Sequence, residues 1–116
     1  MDIQELANEF ADLCRNGEFE EAARRFWSDD VVSIEAMEGP MARCEGRAAC
    51  EAKAQWWYEN NEVHAVETDG PFVNGDQFAL IFHMDYTPRD GERRQEDEVA
   101  LYTVRDGLVV EERFFY

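Results

Sequence analysis

At 116 residues the chain has room for one domain with a single core and none for a second. Its formal net charge of −16 at pH 7, with 11 basic residues scattered among 27 acids, argues against nucleic acid and against anionic membrane surfaces. Hydrophobic residues make up 45% of the sequence, yet no run approaches the roughly 20 residues of a membrane span. The start MDIQELANEF carries neither a basic nor an apolar export segment, so a soluble, cytoplasmic protein is expected.

Asp2 and Glu5 form a capping box, and Ile3, Leu6, Ala7, Phe10, Leu13 and Cys14 then keep helical spacing up to Gly17. Phe19, Ala22, Ala23 and Phe26 repeat the pattern, which predicts a second helix ending near WSDD. VVSIEA, residues 31–36, reads as a first strand, and MEGPMARCEG, with its glycines and proline, as a loop. Cys14, Cys44 and Cys50 are odd in number and lack CxxC spacing, so free thiols are expected. Neither histidine lies in a HxxxH or HxE pattern; no metal and no cofactor are expected.

Gly46 opens a third helix. At about 100° per residue, Ala49, Cys50, Trp56 and Trp57 fall within roughly 60° of Lys53, whereas Glu51, Gln55, Tyr58 and Glu59 fall on the opposite half. The one cation of this helix therefore stands in its apolar stripe. Its ammonium either follows its stem out to solvent or meets a partner inside. Trp56 and Trp57 read as core, or as the wall of a pocket.

From Glu62 onward the period changes from 3.6 to 2. Asn74-Gly75, Asp90-Gly91 and Asp106-Gly107 mark hairpin turns between strands at roughly 62–73, 77–88, 93–105 and 108–116. Helices followed by an antiparallel meander give an α+β layout in which helices cover one sheet face. Phe82, Met84 and Tyr86 are expected inward, with His83 and Asp85 on the outer face, and His64 on the solvated surface. The last strand carries aromatics on both faces: Leu108, Val110, Glu112, Phe114 and Tyr116 on one, and Val109, Glu111, Arg113 and Phe115 on the other. Three short helices cover one face only, so a homodimer through the face of Val99, Leu101, Val109 and Phe115 is expected.

NGEFEEAARRFWSDDVVSIE, EGRAACEAKAQWW, GPFVNGDQFALIFHMDYT and DEVALYTVRDGLVVEERFFY together resemble the SnoaL-like proteins of the nuclear transport factor 2-like superfamily, which include polyketide cyclases and ketosteroid isomerase-like proteins. The resemblance spans essentially the whole chain. It implies a cystatin-like α+β roll: a cone-shaped, curved antiparallel sheet wrapped around three N-terminal helices, with an internal pocket and a dimer contact on the outer sheet face. Set against the ketosteroid isomerase pattern, Glu35 takes the place of the catalytic base, whereas Phe10 and Ala100 fall near the positions of the tyrosine and second acid. Two of three groups are thus absent, which argues against steroid isomerisation itself.

The same resemblance turns Glu98, Ala100 and Tyr102, and Val110, Glu112, Phe114 and Tyr116, towards the pocket. Lys53 is then expected to pair with Glu112 or Glu98, because an unpaired buried ion costs several kcal/mol. Glu35 reads either as a general base beside a carbonyl, made more basic by apolar surroundings, or as an exposed strand carboxylate. The expected catalytic set is Glu35, Glu112 and Lys53. The expected pocket is Phe10, Trp56, Trp57, Phe82, Met84, Glu98, Tyr102, Phe114 and Tyr116. An apolar small molecule bearing a carbonyl is the expected ligand, with proton transfer in an isomerisation or cyclisation as the chemistry; the alternative is a noncatalytic ligand-binding or dimeric interaction module.

Overall fold

Asp2 accepts a hydrogen bond from the backbone N–H of Glu5 at 2.9 Å and so begins helix α1 (Ile3–Arg15), in the computed structural model, which describes all 116 residues. Leu6, Ala7, Phe10, Ala11 and Cys14 make its buried face. Gly17, at φ 75°, allows the tight reversal into α2 (Phe19–Phe26), which buries Ala22 and Phe26. The elements that follow are β1 (Trp27–Ile34), β2 (Arg43–Glu45), α3 (Arg47–Asn60), β3 (Asn61–Asn74), β4 (Gln77–Pro88), β5 (Arg94–Arg105) and β6 (Leu108–Phe115).

The strands form one six-stranded sheet in the order β2-β1-β6-β5-β4-β3. The meander β3 to β6 is antiparallel throughout, as its three turn signals require, while β1 runs parallel to β6. The first strand begins at Trp27 rather than at Val31. WSDD reads as a helix end by composition, but the Arg47 side chain donates to the carbonyls of Ala23 and Trp27 and fixes the chain where helix gives way to strand. The stretch 37–46 also holds more than a loop, because Arg43, Cys44 and Glu45 pair with Ile34, Ser33 and Val32.

The helices lie on the concave side of the sheet. Phe10 meets Tyr102 at 4.8 Å, Phe78 at 5.6 Å and Phe26 at 6.0 Å between ring centroids, and Phe78 stacks on Tyr102 at 4.9 Å. Burying an aromatic or large aliphatic side chain of this kind contributes roughly 1.5–3 kcal/mol. Phe10, Phe82 and Tyr102, expected to line a pocket, therefore belong to the packed interior.

Two details of register change which side chains face in. Val104 pairs with Val109 and Thr103 with Glu111, so Val110 is the extra residue of a β-bulge. Before the bulge Val109 is fully buried; after it Glu112 and Phe114 point inward. Val109 is thus a core residue and not part of the outer face, and Val110 flanks an outer depression with Asp30, Thr103 and Arg105 instead of facing the interior. In α3 the inward line runs through Arg47, Cys50, Ala54 and Trp57, leaving Ala49 exposed and Trp56 47% exposed. The buried stripe is rotated by roughly 60° from the expected one, which puts Lys53 at its edge and takes Trp56 out of any pocket wall.

Candidate functional site

Ser33 and Glu35 alternate onto the same side of the chain at the end of β1, and Glu112 enters from the neighbouring β6, where it pairs with Ser33 in register. Lys53 reaches them from the edge of α3. Its Nζ donates to Ser33 Oγ at 2.6 Å and to Glu35 Oε2 at 2.7 Å, and it stands 5.0 Å over the Phe114 ring. Ser33 in turn donates to Glu112 Oε2 at 2.6 Å, and Tyr116 donates to Glu35 Oε1 at 3.3 Å. The partner of Lys53 is therefore Glu35. Glu112 is reached only through Ser33, and Glu98 makes no hydrogen bond to it, which corrects the expected pairing.

The cluster grades from buried to exposed. Ser33 and Glu112 are buried, the Lys53 and Glu35 side chains are 15% and 22% exposed, and Tyr116 lies 51% open to solvent. Glu98, half-buried on β5 opposite Phe82, completes the group. Burial, and then the charge of Glu35, pushes its carboxyl up to about 8, with Lys53 opposing and Glu112 and Glu96 adding to the rise. Glu112 is raised as well, by desolvation first, against the Ser33 hydrogen bond and the charge of Lys53. The Trp27 indole N–H also favours the ionised form of Glu112, yet it falls outside hydrogen-bonding geometry and has no other partner; the geometry makes this a weak contact. One cation among three carboxyls thus leaves the group short of positive charge and inclined to hold protons.

Further along the same side, Trp57 packs on Tyr86 at 5.0 Å, and the Tyr86 hydroxyl donates to Glu96 at 2.7 Å. Met84 lies partly buried between this pair and Glu98. Of the residues expected to line a pocket, Phe114 and Tyr116 contact the cluster and Glu98 feels its charges, Trp57 and Met84 lie partly buried further along, and Phe10, Phe82 and Tyr102 lie in the core. Two open depressions, of about 510 Å³ beside Gly17, Phe19 and Tyr58 and about 310 Å³ beside Val32 and Val110, lie away from this cluster. His83 and Asp85 stand on the outer sheet face, with His83 held between Asp97 and Asp69 and Asp85 bound by Arg93. His64 bonds Thr87 at the surface.

Sequence reasoning passed over Ser33. Its signal was a lone hydroxyl at an inward position of an apolar strand, two residues ahead of Glu35.

A family model described as the SnoaL-like domain matches residues 1–116. The chain belongs to the SnoaL-like domain family. Among solved structures, this SnoaL-like domain is 52% identical to a candidate SnoaL-like polyketide cyclase from Mesorhizobium loti, also labelled a carbohydrate phosphatase, with all of both chains covered and a TM-score of 0.98. It shares the fold, at 19% identity and TM-score 0.77, with a candidate SnoaL-like polyketide cyclase from Jannaschia sp. CCS1, over 96% of this chain and 85% of that one. An NTF2-like protein from Burkholderia xenovorans LB400 is similar at 20% identity and TM-score 0.76, over 96% and 86%. A comparison with curated proteins found no match. No helix of the SnoaL-like domain is long and apolar enough to cross a membrane.

Proposed function

We propose that this SnoaL-like domain acts on a small apolar compound bearing a carbonyl, by proton transfer in an isomerisation or cyclisation at the Lys53 cluster. The observation that supports it most is the single ammonium held between Glu35 and Ser33, with further carboxyls beside it and the Phe114 ring beneath it. A fixed positive group stabilises an enolate oxygen, and a carboxyl nearby moves the α-proton. The polyketide cyclase name of the Mesorhizobium loti relative is in keeping with such chemistry, whereas its second label, carbohydrate phosphatase, is not. The three unbridged cysteines support a reducing compartment, the cytoplasm.

The closed hydrogen bonding of the cluster favours a second reading, a noncatalytic ligand-binding or dimeric interaction module in which the cluster is a fixed structural network. The outer sheet face supports assembly as a homodimer: Phe72, Ile81, Val99, Leu101 and Phe115 form an apolar area there, with Phe72, Val99 and Phe115 57%, 37% and 47% exposed.

The two readings separate in deuterated water. A panel of apolar ketones and β-keto esters is screened for α-proton exchange by the wild type and by Lys53→Met. Catalysis predicts exchange above the buffer rate that falls at least about 100-fold in the variant. A wild type that exchanges none of the panel leaves the binding module.

A further inference from the structure

We infer that Glu98, rather than Glu35 or Glu112, is the carboxyl that exchanges a proton with the ligand; this rests on the proton-transfer reading above. The hydrogen bonds in the cluster decide between the three. Glu35 accepts from Lys53 on Oε2 and from Tyr116 on Oε1, so both of its oxygens are engaged. Glu112 accepts from Ser33 and lies buried beneath it, out of reach of anything arriving from solvent. Glu98 has no side-chain hydrogen-bond partner and is only half-buried; it is perturbed by desolvation and by charges alone. A carboxyl placed largely out of water with neither oxygen satisfied by the protein is the one free to meet a ligand.

The groups around it suit the step. Glu35 beyond β1, Lys53 on α3, Glu112 on β6 and Glu96 on β5 are the charges that Glu98 feels. Lys53 spends two of its three N–H groups on Ser33 and Glu35, and the third remains for a ligand oxygen. In the step, the ionised Glu98 takes the α-proton, the C–H electron pair moves into the carbonyl to form the enolate, and the Lys53 ammonium meets the enolate oxygen. Glu98 then returns the proton to carbon, at the same or the conjugated position, and no electrons enter or leave. Glu35 and Glu112 are positioning residues that hold Lys53, Glu112 through Ser33.

The base form of Glu98 forms only as pH passes about 8, so the rate should follow that ionisation. The test is α-proton exchange of 2-tetralone in deuterated water, from about pH 6 to about pH 10, with wild type, Glu98→Gln, Glu98→Asp and Glu35→Gln, each checked for native circular dichroism. The expected wild-type rate rises to a plateau with a midpoint near 8, Glu98→Gln loses at least about 100-fold, and Glu98→Asp retains exchange with a displaced midpoint. Glu35→Gln should move the midpoint below the wild-type value, because the charge of Glu35 is second only to burial in raising Glu98, while the rate falls. Exchange that survives Glu98→Gln, or a pH profile that disappears with Glu35→Gln alone, overturns the assignment of Glu98. A wild type that exchanges no 2-tetralone at any pH overturns the proton-transfer reading and this assignment with it.

Discussion

The hydroxyl of Ser33 stands between Lys53 and Glu112, accepting from the ammonium at 2.6 Å and donating to the carboxyl at 2.6 Å. One neutral side chain thereby links two ionisable groups that do not touch. Its direction is fixed, because the lysine can only donate.

Ser33→Ala removes an acceptor from Lys53 and the donor from buried Glu112. Leaving such groups unsatisfied costs about 1–3 kcal/mol. Urea unfolding at neutral pH should show the unfolding free energy falling by that amount, through a lower midpoint at an unchanged slope; no measurable loss would mean that the link carries no stability.

Glu98 makes a pH prediction with a definite sign. A carboxyl raised from 4.5 to about 8 keeps a proton in the native state that the unfolded chain has released. Its contribution to stability therefore falls as pH rises through that window. Glu98→Gln should flatten the decline of the urea midpoint between about pH 5 and about pH 8. An unchanged decline would show that Glu98 titrates in the ordinary range.

His83 behaves in the same direction for a different reason. Its Nδ1 lies 2.6 Å from Asp97 and its Nε2 2.7 Å from Asp69, and two carboxylates require two N–H donors. The hydrogen bond to Asp97, then that to Asp69, raises its pKa above the ordinary 6.5. Its stabilisation is complete below 6.5 and is lost as pH rises through the folded value. Proton NMR titration should place the midpoint above 6.5 and show Asp97→Asn lowering it more than Asp69→Asn. A wild-type midpoint at or below 6.5 would contradict the bridged imidazolium.

The proposed dimer is tested by charge. Phe115→Glu puts a carboxylate on the exposed apolar face beside Val99, its cross-strand partner. Sedimentation at micromolar concentration should give twice the 13.5 kDa chain mass for wild type and the single chain for the variant. A wild type that sediments at 13.5 kDa would refute the assembly.

What the sequence revealed follows from the range of the interactions involved. Gly75, at φ 62°, and Asp106-Gly107, at φ 54° and 76°, turn two hairpins through positive backbone angles that glycine and aspartate tolerate, so the meander was legible. Helical spacing likewise brought Lys53 to the inner side of α3. Its partner was not legible, because Glu35 and Ser33 come from a strand that joins the sheet beside β6, far away in sequence. The bulge at Val110 exists only in the pairing of β5 with β6, so strict alternation misplaced Val109. A rotation of about 60° in α3 sufficed to turn Trp56 from wall to surface.

The most direct measurement is carboxyl NMR of the wild-type protein carrying [13C]glutamate, titrated alone without any ligand. Three inward carboxyls sharing one lysine predict a resonance that titrates near 8, far above the ordinary 4.5, and that disappears in Glu98→Gln. A wild type in which every glutamate titrates close to 4.5 would contradict the crowded cluster on which the proposed chemistry depends.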